Sequence, residues 1–245
     1  MAFFNNSNAN ANTNVDDTFG SDSTGSSLWD SGVYQAKCKY VAVDVTKNGL
    51  PFVKVSVEIN GMEKVFSLFT HSSETKDTYY LKDGQKKVMP GMQELNALCY
   101  VVTGKTAEAL EKEGKVQNKA LKMYDWEKKG EVVKELATFV DLCDQPICVA
   151  VKKLEKHKTV LKDGKYVPTT ETKLINEIDK YLSAKGFTAK ELYNKSDAVY
   201  ATKFKEQNTG KIFKEKLKVT PIEVNGGSEN TSAAGAKTAK SLFDD

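Results

Sequence analysis

Lysines and aromatic rings recur side by side along this chain: Phe52 beside Lys54, Phe66 and Phe69 after Lys64, Tyr79 and Tyr80 before Lys82, Lys86 and Lys87, and Trp126 before Lys128 and Lys129. A ring on a strand face or a hairpin can stack beneath a nucleobase for about 1–3 kcal/mol per base, while a neighbouring ammonium holds the backbone phosphate. The combination favours single strands, whose bases are free to stack. Lys152 and Lys153, with Lys156 and Lys158 beyond them, extend the basic supply, although such a run also makes an ordinary solvated hairpin. Part of the aromatic set must be structural. Phe66 and Leu68 share one strand parity and compete with Val65 and Phe69 for the core side, whereas Tyr80 and Trp126 adjoin turn and charge signals that favour exposure. The expected contact set is Phe52, Lys54, Phe69, Tyr79, Tyr80, Lys82, Lys86, Lys87, Trp126, Lys128, Lys129, Lys152 and Lys153.

All 36 basic residues are Lys, because the sequence contains no Arg. Guanidinium forks are the usual device for bidentate reading of guanine edges, so sequence-specific major-groove recognition loses its commonest tool. Lysines act as point charges on phosphates; they give affinity that carries little sequence information and falls as salt rises.

Other chemistries are poorly served. The chain has no GxxxxGK[ST] phosphate loop, GxSxG elbow, HExxH helix or GxGxxG turn, so no enzymatic activity and no cofactor are expected. Its two histidines, His71 and His157, lie in Ser- or Lys-rich segments away from any candidate nucleophile. Cys143 and Cys148 are separated by four residues, not the two of a zinc knuckle, and no second Cys pair follows, so no metal site is expected. The carboxylate pairs Glu111/Glu113 and Asp141/Asp144 sit near lysines or turns and read as solvated surface.

The net charge of +3 over 245 residues hides a segregation. Residues 1–30 carry −4 and residues 221–245 carry −2, which leaves the interior at +9. A basic body between acidic ends suits a polyanion binder whose own tail can cover the same surface. From Asn5 to Ser27 the chain is Asn, Ser, Thr, Gly, Ala and Asp, too polar to offset chain entropy, so residues 1–27 are expected to be disordered. Residues 225–245 read as a flexible Gly/Ser/Ala/Asn linker ending in the tip Leu242, Phe243, Asp244 and Asp245. Four cysteines, no apolar run of about 18 residues and no secretory pattern point to a soluble cytoplasmic protein with reduced thiols and no membrane partner.

The elements that must position these residues are mainly strands. Tyr34, Ala36, Cys38 and Tyr40 would share one face of the first strand, and Val53, Val55, Val57 and Ile59 form the inward set of the next. Asn60-Gly61 marks a tight hairpin into Glu63–Thr70, and Tyr79–Lys82, Asp83-Gly84 and Lys86–Met89 a second hairpin. Pro90-Gly91 leads into a short one-sided helix with Met92, Leu95, Leu98 and Val102, and Thr106 caps a further helix to Glu113. Lys119–Tyr124, Val132–Leu142, Ile147–Val151, Ala198–Phe204 and Lys211–Val219 are further strand candidates. Asp163-Gly164 turns the chain back into an amphipathic stretch with Ile175, Ile178, Tyr181 and Leu182. Residues 28–224 would form one mainly β domain: a closed oligonucleotide-binding (OB-like) barrel of antiparallel strands with hairpin and short helical insertions. Period-two patterning alone fits a sandwich equally well.

The pattern from Leu28 to Leu98 resembles phage-encoded single-stranded DNA-binding proteins: a Trp29-x-x-Gly32-x-Tyr34 opening, paired strands, Tyr79-x-x-Lys82-Asp83-Gly84, then Pro90-Gly91 before a helix. The linker and the tip Leu242-Phe243-Asp244-Asp245 resemble that family's anionic tail. The resemblance implies an OB fold that coats single-stranded DNA during replication, recombination and repair in a bacterial host cytoplasm. It further implies a tail that recruits a polymerase, helicase or recombinase and occupies the DNA groove when DNA is absent. Two acidic side chains diluted by Lys237 and Lys240 would make that competition weak. A homo-oligomer is compatible with the sequence, which fixes neither site size nor a DNA-over-RNA preference. The rival expectation is a β-rich scaffold that binds only other proteins through sheet edges and tail.

Overall fold

In the computed structural model of the chain, residues 28–125, 128–162 and 165–223 are described. The termini, including residues 1–27 and 225–245, lie outside them, as does Trp126.

Alternating apolar residues build a curled sheet around one main core. Strands β1 (Gly32–Val45), β2 (Pro51–Ile59) and β3 (Met62–Leu68) form an antiparallel meander. The inward set Val53, Val55, Val57 and Ile59 is buried, as expected. Between β2 and β3, Asn60 and Gly61 take the positive φ that a two-residue hairpin demands (51° and 79°).

The expected face of β1 breaks. A β-bulge between Cys38 and Tyr40 moves Tyr40 to the opposite side of the sheet from Cys38. Cys38 and Val41 therefore join the main core, while Tyr40 and Ala42 form a second cluster with Leu121 and Met123. On β3 the parity question is resolved: Phe66 and Leu68 pack with the main core, Val65 packs with the second cluster, and Phe69 is 58% exposed.

After β3 come the hairpin β4 (Tyr79–Lys82) and β5 (Gln85–Val88), helix α1 (Pro90–Thr103) and helix α2 (Ala107–Lys112). Pro90 opens α1, where its missing N–H costs nothing, and Thr106 caps α2 by accepting from the Ala109 amide at 3.3 Å. A second hairpin, β6 (Val116–Asp125) and β7 (Gly130–Phe139), joins the sheet through β7 and β1. Then β8 (Gln145–Lys162) and β9 (Lys165–Ser183) form a long antiparallel pair, with β8 also bonded to β1 over residues 145–151.

Helices α3 (Ala189–Asn194) and α4 (Val199–Asn208) precede a short β10 (Ile212–Lys214), which runs parallel to β8. Two strand expectations fail here. Within Ala198–Phe204, Val199–Phe204 is helical because the Glu191 carboxylate accepts from the Val199 and Tyr200 amides at 2.9 and 2.8 Å, and the ring of Tyr200 lies over that of Phe204 one turn on. Of Lys211–Val219 only Ile212–Lys214 is a strand.

The fold is mainly β. Among the described residues its pairings close no ring: β3 and β9 share no ladder. Side chains bridge them instead, with Lys64 Nζ of β3 donating to Asn176 Oδ1 of β9 at 2.9 Å. Asn176 also bonds both backbone groups of Trp29, and Leu95, Leu98 and Cys99 of α1 fill the core between the two strands.

Candidate nucleic-acid interface

The side chains of β2 that alternate with its core set emerge on the outer face, and there the expected residues meet. Phe52 stacks with Phe69 at a centroid distance of 6.0 Å and an interplanar angle of 28°. Lys54 Nζ lies 5.7 Å from the Phe52 centroid and 2.7 Å from Asp44 Oδ2. Asp44 stands directly across the β1–β2 ladder from Phe52, and sequence reasoning missed it. Burial pushes its carboxyl up, but the Lys54 hydrogen bond, the Val45 amide at 2.8 Å and the charges of Lys54 and Lys134 outweigh that and hold it below the usual range. Lys134 of β7 thus belongs to the same neighbourhood, a second residue the sequence did not reveal.

The β4–β5 hairpin springs from beside this ring pair. The chain passes from Phe69 through residues 70–78 into β4 and returns from β5 to Gly91, which packs on the Phe69 backbone so closely that a Cβ would lie 2.5 Å from the Phe69 oxygen. Met89 N bonds Thr78 O at 2.8 Å and closes the hairpin's base. Register pairs Tyr80 with Lys87 and Lys82 with Gln85 on one face, and Tyr79 with Val88 and Leu81 with Lys86 on the other. Lys86 Nζ sits 4.4 Å over the Tyr79 ring. Lys82, Lys86 and Lys87 are exposed. The hairpin is a sheet of its own, turned at Asp83 and Gly84 with φ of 52° and 73°.

Lys128 and Lys129 lie exposed in the β6–β7 turn, about 20 Å along the strand from Lys134. Their expected companion Trp126 lies outside the described residues, as do Leu242, Phe243, Asp244 and Asp245. Lys152 and Lys153 are engaged elsewhere: adjacent on β8, they point to opposite faces. Lys152 pairs with Asp179 and lies 5.2 Å over Phe213, and Lys153 pairs with Asp30 at 3.1 Å. The ring of Trp29, which opens the family-like pattern, is buried beneath Lys64, whose Nζ is 5.0 Å from its centroid.

His71 Nδ1 bonds Thr70 Oγ1 at 2.9 Å, and His157 Nδ1 bonds the Thr169 carbonyl at 2.7 Å. Among the described residues no three His, Cys, Asp or Glu side chains converge as metal ligands. No helix among them is long and apolar enough to cross a membrane.

The surface so assembled offers two stacked phenyl rings, two tyrosines on an adjoining hairpin, and ammonium groups around both. It can stack planar bases and neutralise phosphates. No protein-family model, curated protein or solved structure matches the chain.

Proposed function

We propose that this protein binds single-stranded DNA without sequence preference, using the outer face of β2–β3 and the β4–β5 hairpin. The observation that carries the reading is the Phe52–Phe69 stack, half-buried at Phe52 and exposed at Phe69, beside Lys54 and next to a hairpin that bears Tyr79, Tyr80, Lys82, Lys86 and Lys87. The curled sheet with α1 packed between β3 and β9 is read as an open relative of the OB barrel, bridged by side chains where a closed barrel would have a ladder. Lysine in place of arginine fits a protein that coats DNA instead of reading it. Coating of this kind serves replication, recombination and repair, with the Leu242–Asp245 tip recruiting a polymerase, helicase or recombinase in a bacterial cytoplasm.

Phe52→Ala/Phe69→Ala in the full chain tests the site. If each ring stacks on one base at about 1–3 kcal/mol, affinity for a fluorescein-labelled oligo-dT falls by at least about tenfold, with circular dichroism unchanged. Unaltered affinity would remove the ring pair from the site. Failure of the unsubstituted protein to bind any oligonucleotide would leave the protein-binding scaffold as the reading.

A further inference from the structure

Beyond residue 155, β8 leaves β1 and β10 behind and pairs with β9, so residues 156–162 and 165–173 form a ribbon, to whose β9 edge Ile222 adds one bridge through backbone bonds to Pro168 and Thr170. Lys156, Lys158 and Lys162 share one parity of β8, and although two extra residues on β9 break the ladder between His157 and Thr159, an even insertion leaves the parity of both strands unchanged. The register sets Lys173 directly opposite Lys156 and Lys165 directly opposite Lys162. Only Lys158 of the five has a carboxylate partner, Glu171 at 3.2 Å; none of the ion pairs among the described residues involves the other four. Glu155, the nearest carboxylate back along β8, has the opposite parity and is held by Thr172 and Lys214.

Like charges placed directly across an antiparallel pair destabilise it. Two such lysine pairs on one face make sense as a surface completed by an anion. Side chains on one strand face recur every ~6.6–6.8 Å, close to the step between phosphates of an extended single strand, whereas a B-form strand advances only about 3.4 Å per phosphate. We infer that the lysine face of the β8–β9 ribbon is a second phosphate track for an extended single strand, an inference that rests on the reading above.

The track lies at the far end of the molecule from the ring pair. Antiparallel pairing sets Val151 opposite Gly32 and Gln145 opposite Cys38, so the ribbon extends past the start of β1, while Phe52 sits opposite Asp44 near its end. At about 3.3 Å per residue the lysine face begins about 55 Å from the ring pair along the strands and ends about 75 Å from it. A short oligonucleotide occupies one site; a long one reaches both.

The test compares salt dependences of oligo-dT binding for the full chain and for Lys156→Gln/Lys162→Gln/Lys165→Gln/Lys173→Gln, with oligomers of about 8 and about 30 nucleotides. Each lost phosphate contact lowers the slope of log K against log salt by about 0.7. The slope for the long oligomer is expected to fall by about 3 and that for the short one to stay the same, with the variant melting no lower than the parent because two like-charge oppositions are gone. Equal slopes for variant and parent at both lengths would overturn the track and leave the ring site standing. If the parent binds neither length, both ideas fall. If the lysine variant loses both lengths while Phe52→Ala/Phe69→Ala keeps them, the track stands and the ring site does not.

Discussion

Asp44 decides how much of the Lys54 charge a ligand meets. Its carboxylate holds Lys54 Nζ at 2.7 Å, so a phosphate arriving beside the Phe52 ring competes with a built-in anion. Asp44→Asn releases that ammonium, and oligo-dT affinity at low salt is expected to rise about two- to fivefold, the worth of one partly exposed ion pair. Stability should move the other way. Because the folded state holds the Asp44 carboxyl below its usual range, its stabilising contribution is present above the unfolded value near 4 and is lost as pH falls through the folded value. Thermal melts of parent and Asp44→Asn should therefore differ at neutral pH and converge under acid. At this scale the rings were legible, since Phe52 must oppose an inward Val53. Asp44 and Lys134 were not, because what brings them to Lys54 is ladder register, and register is set by the bulge at Cys38/Tyr40 and by pairings far away in sequence.

Among the elements, the β4–β5 hairpin depends on Gly91. A methyl there would meet the Phe69 backbone at 2.5 Å, and backbone cannot step aside as a flexible side chain can. Gly91→Ala is expected to destabilise by about 1–3 kcal/mol, the range for overpacking, lowering Tm by several degrees. It should also weaken oligo-dT binding, because it separates Phe69 from the base of the hairpin; a variant with unchanged Tm and affinity would disprove the close packing. Hairpin turns at Asn60-Gly61 and Asp83-Gly84 were readable because their residues supply positive φ directly. The strand expected over Ala198–Phe204 is overridden by a helical signal, Tyr200 and Phe204 standing one turn apart in Val199–Asn208. Thr188 and Glu191 form a full capping box for α3, a T-x-x-E signal present in the sequence that identifies the helix the strand-centred reading passed over. Its Glu191 also anchors the next helix, a long-range use that no local pattern announces.

For the molecule as a whole, the β-rich class was legible in the sequence. Whether the sheet closes was not readable, because that turns on Lys64, Asn176 and Trp29 meeting across more than 100 residues. Packing α1 against β9 has a modest cost at Glu94: its side chain stays exposed, but partial desolvation, then the charges of Glu177 and Asp179 against the relief from Lys180, raise its carboxyl above the usual range. A raised folded value means stability declines as pH climbs from the unfolded value near 4 through the folded one. Glu94→Gln should therefore melt higher than the parent at neutral pH, with the advantage vanishing under acid; an equal advantage at both would contradict that assignment.

The basic interior, the ring pair of Phe52 and Phe69 and the absence of arginine are what support the proposed property: preference for an unpaired strand held by its phosphates. The most direct measurement is equilibrium binding of the full chain to one sequence in single- and double-stranded form across a salt series. Tighter binding to the single strand is expected, with log K falling linearly with log salt at both ends of the range. Affinity that ignores salt, or that is equal for duplex and single strand, would contradict the account.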